Sequence, residues 1–309
     1  MAKSTGFQIP PEADASIADT TAIGIDALEI EEVCLAELNN TLPIGIFLDG
    51  ERLTSFTLKP YKTKYDRVLG EILGRPKITI LSALQQFLPL MIETIGGIPL
   101  ADLAQKLSTS PARLFGGMYL GDALSIVVSI RMAAQGPHIK MSATCPSCGT
   151  ENEDKGTIAE PYHDLSGLPI KKIVHLSSDP VVEVRLKDGL EVGKEKLFRI
   201  LMQPLKLHQF EAIAKPGAGA MDVLMLYEMV VGLPESEYYG KAKGRVFSDD
   251  LYDELTMADQ QILVKAIERL QIVPKMEAEM VCIGCGHKWD AGLPWGNLRR
   301  FLFVPPEST

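Results

Sequence analysis

Four of the five cysteines stand in two matching corners, Cys145-Pro146-Ser147-Cys148-Gly149 and Cys282-Ile283-Gly284-Cys285-Gly286. A Cys-x-x-Cys-Gly turn brings two sulfurs within reach of one ion. The glycine after the second cysteine can adopt φ > 0, which turns the following amides back towards the sulfurs. Two such knuckles supply four thiolates, the closed tetrahedral set of a structural zinc site. Zinc held by Cys145, Cys148, Cys282 and Cys285 is therefore the expected cofactor, with a rubredoxin-like iron site as the alternative. Four sulfurs leave no open coordination position, so the ion is expected to hold structure and not to do chemistry. A redox-active Cys-x-x-Cys opens a helix and needs only one pair; neither "GTENEDKG" nor "GHKWDAGLPWG" reads as an amphipathic helix. His287 could replace a thiolate but reads as a surface histidine. With Lys288 and Lys140 it is placed to offset the site's formal charge of −2.

The elements that carry the corners are duplicated. At an offset of 137 positions Asp122 meets Asp259, Val127 meets Val264, Ile130 meets Ile267 and Pro137 meets Pro274, and both cysteines and the glycine follow without a gap. "DALSIVVSIRMAA" and "DQQILVKAIERLQ" carry apolar residues at helical spacing. After them, Ile139, Met141 and Ala143 alternate, as do Met276, Ala278 and Met280, which predicts a strand with one buried face running into each knuckle. Upstream, "PIGIFLDGERLTSFTLKPY" (43–61) is a hairpin about Asp49-Gly50, and "VVEVRLKDGLEVGKEKLFRILMQP" (181–204) has the same form about Asp188-Gly189. That match loosens, because Gly50 to Pro60 is 10 residues and Gly189 to Pro204 is 15. A helical stretch follows each hairpin, "KTKYDRVLGEIL" and "LKLHQFEAIAK"; no alignment is visible in the middle of the copies.

The expected fold is α+β and internally duplicated: hairpin, helices, strand and knuckle, twice, in pseudo-twofold halves joined by the four cysteines. The expected organisation is an acidic arm (1–39), a first repeat (40–150), a connector (151–177), a second repeat (178–290) and a C-terminal tail (291–309).

Charge excludes some functions. Residues 1–40 hold eight acids against Lys3, a balance of −7, which leaves −2 of the chain's −9 for the other 269 residues. A solvated acidic arm on a near-neutral body offers phosphate no electrostatic attraction. No secretory h-region opens the chain, and the most apolar windows, 78–96 and 223–232, are poor spanning segments; no membrane insertion is expected. Dinucleotide, Walker, zinc-protease and nucleophile-elbow motifs are missing, and His138, His163, His175 and His208 share no spacing. "KPGAGAMD" (215–222) reads as a flexible turn. Cys34 sits at helical spacing in "IDALEIEEVCLAEL", which predicts a buried core thiol. Met221, Leu224, Met225 and Met229 form an apolar stripe of core type. Acids in "DLYDEL" precede Thr256, a candidate N-cap. No catalytic residues and no small-molecule substrate are indicated.

The order hairpin, helix "DALSIVVSIRMAAQG", then "PHIKMSATCPSCGTENED" resembles the bacteriophage baseplate hub and tail-assembly proteins of the T-even kind. The shared closing pattern falls on Ile130, Arg131, Gly136, Ile139, Cys145, Pro146, Cys148 and Gly149. The resemblance covers about 43–160 and, more faintly, 181–303, where Ile283 replaces the proline and Glu268 the arginine. It implies a non-enzymatic protein of tail or baseplate assembly, structural or chaperone, whose partners are other tail proteins. The implied location is the bacterial host cytoplasm during assembly, and the virion tail if the protein is retained. Two other readings compete. One is a zinc-ribbon nucleic-acid or transcription module, for which Lys288, Trp289, Trp295, Arg299 and Arg300 are the candidate face. The other is a thiol redox protein.

Overall fold

The structure, a computed structural model, describes residues 22–153, 163–213, 221–236, 246–294 and 297–303. It is mixed α+β, with helix (40%) outweighing strand (31%). The chain forms two compact units, one of Met1–Leu28, Ser178–Pro204 and Gly217–Leu270, the other of Glu29–Ser177, Leu205–Pro216 and Gln271–Thr309.

In the larger unit, strands Thr41–Leu48 and Glu51–Leu58 form the first hairpin, with Asp49 (φ +51°) and Gly50 (φ +82°) as its turn. Two consecutive positive φ values give the twist that closes a two-residue hairpin, and Asp-Gly adopts them readily. Helix Lys64–Leu73 follows, then helix Ile80–Met91, which runs without a break into strand Ile92–Ile95. That strand pairs back on the hairpin's second strand, and Ile98–Pro99 completes a four-stranded sheet. Helix Leu120–Gln135 is the core of the unit. From Leu120 to Val128 it is buried on every side, as expected of a central helix and not of a surface one.

The smaller unit repeats this plan. Strands Val182–Val192 and Glu195–Met202 form a hairpin, helix Met221–Met229 runs directly into strand Val230–Gly232, and that strand pairs on the hairpin's second strand. Helix Met257–Leu270 corresponds to Leu120–Gln135. Thr256 caps it as expected, its hydroxyl accepting the Asp259 N–H at 3.2 Å. Of the methionine stripe, Met225 and Met229 are buried, while Met221 is half exposed.

The hairpins correspond in a different register from the one their Asp-Gly pairs suggest. Thr41 faces Ser55 and Ile46 faces Leu53, with a bulge between; Arg185 faces Arg199 and Leu190 faces Leu197, with a bulge between. Every one of these partners is displaced by 144 positions, and so are Pro60 and Pro204. Gly189 therefore matches Gly45, not Gly50. Both are bulge glycines at φ +85° and +92°, and the second hairpin turns at Gly193-Lys194. A positive-φ glycine serves a bulge as well as a turn, and the sequence pattern does not separate the two. The unequal spacings to Pro60 and Pro204 disappear in this register. The middles also align: Leu58 faces Ile92 and Thr57 faces Thr94, while Met202 faces Val230 and Leu201 faces Gly232.

Two other expectations change. Cys34 ends strand Ile30–Cys34, which pairs with Pro169–Ile173; the thiol is half-buried and not in a helix. Within the segment read as a solvated arm, Glu31 pairs with Lys172 at 2.9 Å, so residues 30–38 are built into the larger unit. Residues 1–21 and the glycine-rich 215–220 lie outside the described residues. No described helix is long and apolar enough to cross a membrane.

Candidate metal centre

Each knuckle is the tip of a two-stranded hairpin, and the two hairpins share one register. Ser142–Thr144 pairs with Glu151–Glu153, Thr144 facing Glu151; Glu277–Val281 pairs with Lys288–Gly292, Val281 facing Lys288. The returning strand Glu151–Glu153 lies at the start of the segment read as a connector. As the alternation predicts, Ile139, Met141, Ala278 and Met280 are buried. The helix exit above the first knuckle is set by Arg131 and Gly136. Gly136 (φ +80°) ends helix Leu120–Gln135, and the buried Arg131 guanidinium donates to the carbonyls of Gly136 (3.1 Å) and His138 (2.9 Å). Those two bonds fix the direction in which the chain leaves for the knuckle.

Within each tip the backbone repeats itself. Gly149 N–H donates to Cys145 O and Cys145 N–H to Thr150 O; Gly286 N–H donates to Cys282 O and Cys282 N–H to His287 O, all between 2.8 and 3.0 Å. Gly149 and Gly286 take φ of +73° and +71°, the conformation anticipated for the residue after the second cysteine.

Both knuckles belong to the larger unit, and their sulfurs converge. All four Sγ atoms lie within 4.8 Å of one another. Cys145 Sγ is 3.8 Å from Cys285 Sγ, and Cys148 Sγ is 3.4 Å from Cys282 Sγ. The first cysteine of each knuckle thus faces the second of the other, the exchange that a local twofold produces. A tetrahedron with metal–sulfur distances of about 2.3 Å has sulfur–sulfur edges of about 3.8 Å. The four cysteines fit such an ion. Cys145 and Cys282 are buried, and Cys148 and Cys285 face outwards. Cys282 is acidic, at about 6: burial raises it, but the Cys285 and Gly284 amides that point at its sulfur win. Cys285 is pushed up to about 11: the His287 amide lowers it, and the neighbouring thiols outweigh that. Four sulfurs this close cannot all be thiolates without a cation among them.

Neutral polar groups flank two of the sulfurs. Gly284 N–H lies 3.3 Å from Cys282 Sγ, and the Thr150 hydroxyl lies 3.2 Å from Cys148 Sγ. A Cβ on Gly284 would stand 2.8 Å from that hydroxyl oxygen, so a larger residue here would have to turn the Thr150 side chain away from Cys148. Two residues named for charge compensation act elsewhere. Lys288 pairs with Glu279 at 3.3 Å, and His287 stacks on Trp289 with ring centroids 6.3 Å apart. Of the proposed nucleic-acid face, Arg299 is held by both oxygens of Asp66 at 2.6 and 3.0 Å. That contact is part of the packing of helix Leu298–Phe303, which buries Leu298, Phe301, Leu302 and Phe303. Trp295 lies outside the described residues.

Among the described residues no other group of three ligating side chains converges. Asn152, which the sequence analysis did not single out, is 2% exposed beside the cluster. Its only signal in the sequence is its place four residues after the second cysteine, in a polar run that looks like a linker.

No protein-family model matches the sequence, and no curated protein or solved structure matches it.

Proposed function

We infer that the chain is a non-enzymatic assembly protein whose knuckles, one from each copy of a duplicated unit, are locked by one structural zinc ion. The observation that carries the reading is the convergence of four sulfurs from segments over 130 residues apart. A zinc ion there would link the chain's middle to its C-terminal region, and it has no open position for a substrate or a reactive water. Thiolate ligation favours zinc or iron over the hard cations. The type of assembly is taken from the resemblance: a contractile tail or baseplate, with other tail proteins as partners. In support, three of the five residues of the alternative nucleic-acid face (Lys288, Trp289, Arg299) are engaged by neighbouring side chains, and the chain's net charge is −9.

Purification of the tagged chain from its native source, with metal analysis of the same sample, tests this reading. The expected result is co-purification with tail components at a fixed ratio, with zinc present and insensitive to nuclease. Tails that assemble normally without the chain, or strongly salt-dependent retention of nucleic acid, would overturn the assembly reading.

A further inference from the structure

The two knuckles are alike in backbone, but only one reaches across to the other. Asn152 faces Ala143 in the first knuckle hairpin, and at the same place in the second hairpin Trp289 faces Met280. The Asn152 carboxamide uses three of its hydrogen-bonding positions at the seam. Nδ2 donates to Thr150 O at 2.7 Å within its own hairpin and points at Cys282 Sγ, 3.8 Å away, in the other. Oδ1 accepts the Ile283 N–H at 2.8 Å, also in the other hairpin.

The geometry points to Asn152 as a positioning residue for the metal, an inference that rests on the four-cysteine reading above. It acts through Cys282 and touches no ion itself. Its acceptor fixes the backbone of the second knuckle one residue after Cys282. Its donor faces the sulfur that the ion draws into the thiolate form. A neutral amide suits this place because zinc with four thiolates carries a formal charge of −2. An N–H aimed at the sulfur relieves that charge, whereas a carboxylate would add to it. Losing the side chain removes the bond that ties the Ile283 N–H, and with it the second knuckle's backbone, to the first hairpin. Partners that orient metal ligands in this way typically govern affinity by 10–100-fold.

The test uses the full chain loaded with zinc. Release to excess chelator is followed for the natural sequence, Asn152→Ala, Asn152→Asp and Glu151→Gln, the last being an exposed position on the same strand. The same four proteins are loaded with cobalt to record the thiolate charge-transfer bands. Release is expected to be about 10–100-fold faster for Asn152→Ala. It should be at least as fast for Asn152→Asp, which keeps an acceptor for Ile283 but turns a negative charge on Cys282. Glu151→Gln should match the natural chain. The cobalt bands should keep four-thiolate intensity but shift in the two Asn152 variants. Release at the natural rate in Asn152→Asp would show that the side chain only fills space, and would overturn the inference. If Asn152→Ala does not fold, the near-isosteric Asn152→Asp decides alone. A natural chain that binds neither zinc nor cobalt would instead sink the metal reading itself.

Discussion

Asp122 and Asp259 stand 137 positions apart and do the same job with different means. Each is fully buried at the third position of its helix and accepts the amide of a bulge glycine, Gly45 at 2.9 Å and Gly189 at 3.0 Å. In both copies the carboxylate also sits where the helix dipole favours negative charge. Asp122 has only one further amide, from Ile44 at 2.8 Å. Asp259 gathers Lys187 and Asp188 N–H as well, with the Thr256 hydroxyl at 3.3 Å. The burial of Asp122 therefore wins over its donors and raises its pKa to about 7, despite the amides of Ile44 and Gly45 and the nearby Arg52. The comparison shows what the two regions share. The link from helix to bulge is common to both copies, while the number of bonds around it differs.

The knuckles give the largest way to break the comparison. On the proposed reading one ion serves both knuckles, so a lesion in either copy should have the same consequence. Cys148→Ser and Cys285→Ser should each lose the metal and most of the apparent binding free energy of about 10–16 kcal/mol that structural zinc contributes in small domains. Thermal denaturation with and without chelator checks this. A normal melting temperature in one of the two variants would mean that the copies do not share a site.

Next in size are the buried carboxylates. Each buried donor left without a partner costs about 1–3 kcal/mol. Asp122→Ala, which strands the two buried amides of Ile44 and Gly45, should therefore destabilise the chain more than Asp259→Ala, whose one buried amide is that of Gly189, those of Lys187 and Asp188 being part-buried and open to water. Denaturant titration of the two variants gives the order, and the reverse order would contradict the bonding described here.

The pH dependence sharpens the contrast. The Asp122 carboxyl has a higher pKa folded (about 7) than unfolded (3.8), so the folded chain holds its proton more tightly. Its contribution is fully present below the unfolded value and is lost as pH rises through the folded one, with a slope of about 1.4 kcal/mol per pH unit in between. Stability profiles from pH 4 to 8 should lose this component in Asp122→Asn. An unchanged slope would assign the effect elsewhere.

The smallest effect separates the bulge glycines. A Cβ on Gly45 would stand 2.9 Å from the Leu53 carbonyl oxygen. On Gly189 its nearest neighbours are the movable ends of Phe198 and Lys196, with the Leu197 carbonyl at 3.2 Å. Both alanines bear the penalty of positive φ, about 1–3 kcal/mol. Gly45→Ala should cost more, by the displacement of a backbone atom, and equal costs by denaturant titration would count against that difference.

The sequence shows most clearly what depends on local pattern. The knuckles are legible because tip geometry tolerates no insertion between their cysteines, and the helices before them align with them without a gap. The first hairpin is legible in Asp49-Gly50. The second is misread because Asp188-Gly189 has the composition of a turn but forms a bulge, and only the partner strand reveals which. Cys34 lies at helical spacing, yet pairing with Pro169–Ile173 draws it into a strand. Tertiary pairing overrides a short periodic run. Asn152 was hidden for the same reason: its role depends on Ile283 and Cys282, 131 and 130 residues away.

The number of metal ions per chain tests the central claim most directly, measured by elemental analysis on the purified, full-length protein against its quantified concentration. The account predicts one zinc for each chain, and none after replacement of a single knuckle. Two ions per chain, or a full equivalent that survives removal of Cys282 and Cys285, would contradict a centre shared by the two copies.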